Sequence, residues 1–324
     1  MSDLGERALI QRITARLAGP DWVIVGPGDD AAVVEPQRGT LDVLTTDIQV
    51  EGVHFDPRFM PPEAIGHRAL AVNLSDLAAM GARPRAALLS LVLPAALEIA
   101  VVDGVLDGML RVAGAHRVAI IGGNVSRSPG PLMIDMTAIG SVGRRRVLTR
   151  RGARPGDIVY VTGSVGDGAV GLESLRAGAA VDACERRFLF PEARVRAGML
   201  LARNRAATAC MDLSDGLADG VRQVAEASNV GITLDADTLP VTDDVRRWHE
   251  THDRRPLEAA VAGGDDYELL FTVRPAHQGR LRSVQRLFGG LPVTRIGQVT
   301  KERALVVRYA DGPRELPPGF EHFT

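Results

Sequence analysis

GPGDDAAVV (residues 26–34), LDVLTTDIQVEGVHF (41–55) and NLSDLAAMG (73–81) each set an apolar run beside carboxylates and small residues. Gly26, Pro27 and Gly28 lead into Asp29 and Asp30, so the backbone there can come close to a ligand. Thr45, Thr46 and Asp47 end the run Leu41–Leu44, where a strand would hand oxygen ligands to a site. Asp76 lies in a stretch of helical character, three residues from Asn73 and on the same face. Two carboxylates about 4 Å apart repel by roughly 4 kcal/mol at an effective dielectric near 20. A bound cation removes that cost, and a donor set of carboxylates, hydroxyls and carbonyls suits Mg²⁺ better than zinc or copper. The expectation is a metal-bridged phosphate site. Each residue also has a plainer reading, with Asp29 and Asp30 as turn formers and Asp47 as a solvent-facing group at a strand end.

Outward from this stretch, helical spacing predicts helices over Glu6–Leu17, from Pro61-Pro62 through Met80, and over Leu97–Ala113 despite Gly104 and Gly108. Strands are expected at Ala87–Leu93, at Val118–Ile121 running into a glycine turn at Gly122-Gly123-Asn124, and at Leu132–Val142. The arginine- and glycine-rich segment Gly143–Gly156 has no clear period and marks a boundary, giving domains 1–143 and 144–324. The second half predicts helices at Ala169–Ala177, Glu192–Asn204 and Leu217–Ala227. Its strands fall at Asp157–Val161, Ala207–Met211, Gly231–Leu234, Tyr267–Val273, Thr294–Val299 and Leu305–Tyr309. Without strict alternation of strand and helix, α+β is favoured over a doubly wound sheet.

The chain has 324 residues, 45% of them hydrophobic and 24% charged, with a net charge of −2. That balance gives no footprint for nucleic acid. The start, MSDLGERALIQRI, lacks an apolar signal core and no apolar run reaches membrane-spanning length, so no membrane association and a cytoplasmic location are expected. Cys184 and Cys210 are too few for a disulfide framework. Lys301 is the only lysine, so neither a P-loop nor a protein-kinase lysine is available. Any ATP would be held by arginine, backbone N–H groups and metal.

Further constellations carry the same chemistry. CMDLSDGL (210–217) places Asp212 and Asp215 where a strand meets a helix, with Ser214 either a simple N-cap or a neighbour of bound anion. AGGDDYE (262–268) is a second glycine turn bearing carboxylates, among them Asp265. His54, a lone histidine beside Phe55, reads more readily as a solvated or core residue than as a catalyst, and Arg150 reads as a nucleotide-phosphate contact or as a solvated group. No Ser/His/Asp triad, Cys–His pair or zinc spacing is present, which disfavours a nucleophilic hydrolase.

Together GDDAA, TTDxxVEGVHF, RALAVNLSDLAAMGA, LTRRGARPGDxVYVTG, DLSDGL, GGDDYELLFT, IGQV and the terminal GFEHF resemble the thiamine-monophosphate kinase family, in that family's order and over nearly the whole chain. The wider superfamily includes aminoimidazole-ribonucleotide synthetase, selenophosphate synthetase and a hydrogenase maturation factor. The resemblance implies a homodimeric, two-domain α+β protein whose N-terminal sheets meet in a barrel across the dimer. It also implies ATP and thiamine monophosphate as substrates, with direct in-line transfer assisted by several Mg²⁺ ions. By motif, Asp30, Thr45, Thr46, Asp47, Asp76, Asp212 and Asp215 would be metal ligands, with Asp47, Asp76 and Asp212 at the catalytic centre. Gly123, Asn124, Arg150 and Ser214 would touch the nucleotide, and His54, Asp265 and Phe320 the thiamine phosphate.

Three positions depart from the family pattern. GGDT is here Gly122-Gly123-Asn124-Val125, so a metal carboxylate becomes an amide that can ligate only through its carbonyl. GGED is Gly263-Gly264-Asp265-Asp266, and the terminal aromatic is Phe320 where Tyr or Trp is usual. These leave two alternatives open: a related ATP-dependent enzyme acting on another small phosphorylated heterocycle, or a weakly active nucleotide-binding paralogue.

Overall fold

The computed structural model describes residues 5–17 and 19–319. The chain divides into two compact units, one comprising residues up to Leu77 with Arg83–Arg144, the other Ala78–Ala82 with the residues from Arg145 on. Both mix helix and strand. Among the described residues no helix is long and apolar enough to cross a membrane.

The first unit follows the order α1 (Glu6–Thr14), β1 (Val23–Val25), β2 (Val33–Val34), β3 (Thr40–Val50), α2 (Pro62–Ala79), β4 (Arg83–Pro94), α3 (Ile99–His116), β5 (Ala119–Ser128) and β6 (Met133–Gly143). Its main sheet runs β3-β6-β4-β5, antiparallel except for the parallel β4/β5 edge pair. Strand alternation puts Ile134, Met136 and Ala138 of β6 on one face with Leu89 and Leu91 of β4, all buried. On the other face Trp22, Val23, Ala32 and Val34 pack over Ala86, Ala119 and Ile121, while Leu44 and Ile48 of β3 stay 65% and 47% exposed. Helix α2 buries Ile65, Leu70, Leu74 and Leu77, apolar around most of its circumference as a fully enclosed helix must be. Gly66 and Gly108 explain why glycines interrupt otherwise good helices. A Cβ on Gly66 would collide with the Val105 carbonyl, and one on Gly108 with the Glu63 carbonyl, so α2 and α3 touch backbone to backbone.

Two expectations change here. β3 does not end at Leu44: it pairs with β6 from Thr40↔Gly143 to Val50↔Met133, so Thr45, Thr46 and Asp47 lie mid-strand. Gly122-Gly123-Asn124 is no turn either, because β5 continues through it with Gly123 opposite Leu89 and Asn124 opposite Ser90. Parallel pairing with β4 satisfies the backbone there, and a register shift at Ala87/Leu88 absorbs the misfit.

The second unit continues with β7 (Ile158–Thr162), α4 (Asp167–Ala177), α5 (Asp182–Leu189), α6 (Val195–Arg203), β8 (Ala209–Asp212), α7 (Leu217–Ser228) and β9 (Gly231–Asp235). It closes with α8 (Asp243–Thr251), α9 (Pro256–Ala262), β10 (Leu269–Val273), α10 (Gln278–Gln285), β11 (Val293–Thr300), β12 (Leu305–Tyr309) and β13 (Gly312–Glu315). Its sheet has the order β13-β12-β9-β11-β7-β10-β8, antiparallel apart from β12/β9. Leu217, Val221 and Val224 of α7 recur at helical spacing and are fully buried, each contributing about 2 kcal/mol through apolar burial.

Candidate active site

In the first unit the predicted residues fall into two groups. The loop between β1 and β2 carries Asp29, whose Oδ1 accepts from the Asp30 N–H at 2.8 Å, so Asp29 is a turn former. The exposed Asp30 lines a cleft of about 700 Å³ together with Gly122, Gly123, Asn124, Ser90 and Thr137. The second group lies on the buried side of the sheet. Thr45 Oγ1 donates to Asp76 Oδ2, tying β3 to α2, and Asp47 shares that strand face two residues on.

Thr46 faces the other way, and strand alternation dictates it. Its hydroxyl donates to Asp135 Oδ1 at 3.0 Å and accepts from Thr137 Oγ1 at 3.2 Å. The structure therefore does not bring the Thr46 side chain together with Thr45, Asp47 and Asp76. It instead reveals Asp135, whose signal was the regular alternation of MIDMTAIG along β6. His54 accepts at Nδ1 from the Val50 N–H, 3.1 Å away, in the turn that closes β3.

In the second unit two loops are joined. Asp212 ends β8 opposite Leu269 of β10 and is buried. The Ser214 and Leu213 carbonyls accept from the Asp265 and Tyr267 N–H groups at 2.7 and 2.8 Å, and the Leu213 N–H donates to Glu268 O at 2.9 Å. Asp212, Ser214, Asp215 and Asp265 thus share one double loop. Ser214 does not cap α7: the N-cap is Gly216, with no side-chain cap bond, and Ser214 Oγ instead donates to Asp215 Oδ2 at 3.2 Å. Gly216 has φ 93°, and a Cβ there would strike the Gly263 carbonyl. Asp265 and Tyr267 are left-handed at φ 66° and 51°, and Tyr267 Oη donates to Asp265 Oδ1 at 3.2 Å. Arg150 lies along α7 with its guanidinium on Gln223, which in turn donates to Asp219. Phe320 lies outside the described residues.

Behind the double loop is a charged layer that the motif DDYE contained without showing its role. Glu268 is fully buried, held by Arg187, by Arg194 at 2.6 and 2.8 Å and by Thr162 Oγ1 at 2.6 Å. Burial pushes its pKa up, but the Arg194 hydrogen bonds and the charges of both arginines outweigh that and hold it below the ordinary range. Asp266, also buried, takes the N–H groups of Gly166 and Gly168 at the start of α4, and burial drives its pKa well above the usual value. Burial likewise raises the thiol pKa values of Cys184 and Cys210, so neither is a ready nucleophile.

The accessible chemistry is that of hard oxygen donors. Among the described residues no three His, Cys, Asp or Glu side chains cluster closely enough to hold a metal by themselves. The donors come as pairs such as Thr45–Asp76 and as carboxylates on loops. That arrangement fits Mg²⁺, which takes one or two protein carboxylates and fills its octahedron with water and substrate phosphate.

The sequence profile described as "AIR synthase related protein, N-terminal domain" matches residues 28–142, and the corresponding C-terminal domain profile matches residues 154–310. Fold and site thus define an AIR synthase related protein in both halves. The thiamine-monophosphate kinase of Escherichia coli (strain K12) is 38% identical over 330 residues, covering 99% of this chain and 98% of that one. The crystal structure of the thiamine-monophosphate kinase from Stenotrophomonas maltophilia K279a superposes with a TM-score of 0.83 at 39% identity, covering 97% and 98% of the two chains. A structure described as AaThiL complexed with AMPPCP and TMP gives a TM-score of 0.78 at 34% identity, covering 100% and 98%. The chain belongs to the thiamine-monophosphate kinase family.

Proposed function

We propose that this chain transfers the γ-phosphoryl group of ATP to thiamine monophosphate, giving thiamine diphosphate. The observation that carries the reading is the end-to-end similarity to thiamine-monophosphate kinases, one relative of which is held with AMPPCP and TMP together.

Magnesium held here would supply the charge neutralisation that a triphosphate needs, the main requirement of a loose phosphoryl transition state. Within the first unit Asp30, Thr45, Asp47, Asp76 and the Asn124 carbonyl would hold it, and within the second Asp212 and Asp215. Thr46 would contribute through its backbone rather than its side chain. Asp76 accepts the Thr45 hydrogen bond, which ties its carboxylate to the strand face that Thr45 shares with Asp47. Gly123, Arg150 and Ser214 would contact the nucleotide, and His54, Asp265 and Phe320 the thiamine phosphate. Asp265 is fixed for that contact by its left-handed backbone and by Tyr267. The acceptor is itself a phosphate oxygen, ionised at neutral pH, so the chain need supply no strong general base.

The same reading includes a homodimer through the outer face of the four-stranded sheet, where Leu44 and Ile48 are exposed on edge strand β3. Incubation of the purified chain with ATP, Mg²⁺ and thiamine monophosphate, followed by chromatography, tests the activity. Stoichiometric thiamine diphosphate and ADP are expected. ADP formation only with a different phosphorylated heterocycle would reassign the substrate, and none with any acceptor would remove the kinase reading.

A further inference from the structure

The second unit holds a cationic pocket that the proposed reaction does not use. It has a volume of about 660 Å³ and is lined by Arg151, Arg154, Arg205, Arg274, His277 and Arg280. Among the described residues none of these five guanidinium groups forms an ion pair. Asp157, the carboxylate nearest in the chain, is buried and already accepts from the Arg154 N–H at 3.1 Å and from Thr208 Oγ1 at 2.7 Å. Arg274 Nε is buried without a hydrogen-bond partner, which leaves a guanidinium donor unmet, and His277 Nδ1 is unpartnered beside it. His277 opens α10, whose first N–H groups add positive character on the same side.

This pocket is separate from the acidic double loop. Thr208 and Arg274 lie beyond the Ala209 and Val273 ends of β8 and β10, whereas Asp212 and Leu269 mark the loop ends of those strands. Ser228, also on the pocket wall, ends α7, and the acidic loop precedes its start. Twelve helical residues separate the two, about 18 Å of rise.

Five unneutralised guanidiniums around one cavity repel one another, and an anion of several charges relieves that repulsion. Guanidinium forks match phosphoryl oxygens, and the volume exceeds what one phosphate fills. We propose that this pocket binds a small molecule carrying a linear oligophosphate, two or more phosphoryl groups long, independently of the kinase reading.

Calorimetric titration of the full-length chain with inorganic tripolyphosphate in EDTA and low salt tests this, because metal-dependent phosphate binding is then absent. A single binding event is expected, weakened at least tenfold in Arg151→Ala/Arg280→Ala and unchanged in Asp47→Asn. Both arginines are exposed, so the variant should melt with the wild type, and Arg154→Ala gives an independent check at a third exposed position. ATP competing for the site would identify a nucleotide oligophosphate as the occupant, and ATP failing to compete a bare one. No binding at millimolar tripolyphosphate, or wild-type affinity in both arginine variants, would overturn the proposal.

Discussion

Thr45, Asp47 and Asp76 show what a single side chain contributes: a hydroxyl bonded to a carboxylate across β3 and α2, with a second carboxylate two residues along the strand. Asn124 stands on the cleft wall near Asp30, where the family pattern has a carboxylate. Asn124→Asp restores the charge and should lower the Mg²⁺ concentration for half-maximal rate several-fold, read from initial rates across a magnesium series. Glu268 belongs to stability instead. Its folded pKa is depressed, so its contribution is complete above the ordinary glutamate value of 4.5 and is lost as pH falls through the folded value. Glu268→Gln leaves Arg187 and Arg194 without their buried anion and should cost about 3 kcal/mol at neutral pH. Thermal melts from pH 3 to 7 should show a steep acid limb in the wild type and a flatter one in the variant. From the sequence, the carboxylates could be named because they sit beside glycines and strand runs. What could not be read was the face each one takes. Thr46 and Asp47 are neighbours in sequence and opposed in space, because the strand continues past Leu44, where its end was expected.

At the level of elements, the double loop of the second unit depends on Gly216 as much as on its acids. A methyl group at Gly216 meets both an unfavourable φ and the Gly263 carbonyl. Gly216→Ala should destabilise by about 1–3 kcal/mol and weaken nucleotide affinity as the loops part, measured by thermal melt and by titration with a non-hydrolysable ATP analogue. Long periodic elements such as α2, α3, α7 and β6 were legible, since burial of one face or of the whole element leaves a repeating apolar pattern. Helices α5, α8, α9 and α10 were not. They are short, and α8 buries only Val245, Trp248 and His249 among charged residues, too few to establish a period. The strand through Gly122 and Gly123 was hidden for the opposite reason: its pairing comes from β4, far away in sequence, and local glycine chemistry points to a turn.

For the whole molecule, two units of mixed helix and strand match one family over their full lengths, and a reaction follows from that membership together with the oxygen donors. The exposed Leu44 and Ile48 predict a dimer, so light scattering should give twice the 34.5 kDa chain mass, and Leu44→Arg should shift it to the monomer. An aperiodic, arginine- and glycine-rich segment near residue 143 was readable in the sequence. That Ala78–Ala82 groups with the second half was not, because it follows from packing rather than from chain order. In the proposed reaction, aspartates on magnesium drive phosphoryl transfer to thiamine monophosphate. The most direct test of this is the rate of thiamine diphosphate formation across a magnesium titration for the wild type and Asp47→Asn. Loss of a metal ligand worth several kcal/mol predicts a rate at least about 100-fold lower in the variant, with the circular dichroism spectrum unchanged. Wild-type rates in Asp47→Asn at every magnesium concentration, or product formed by the wild type in EDTA, would contradict it.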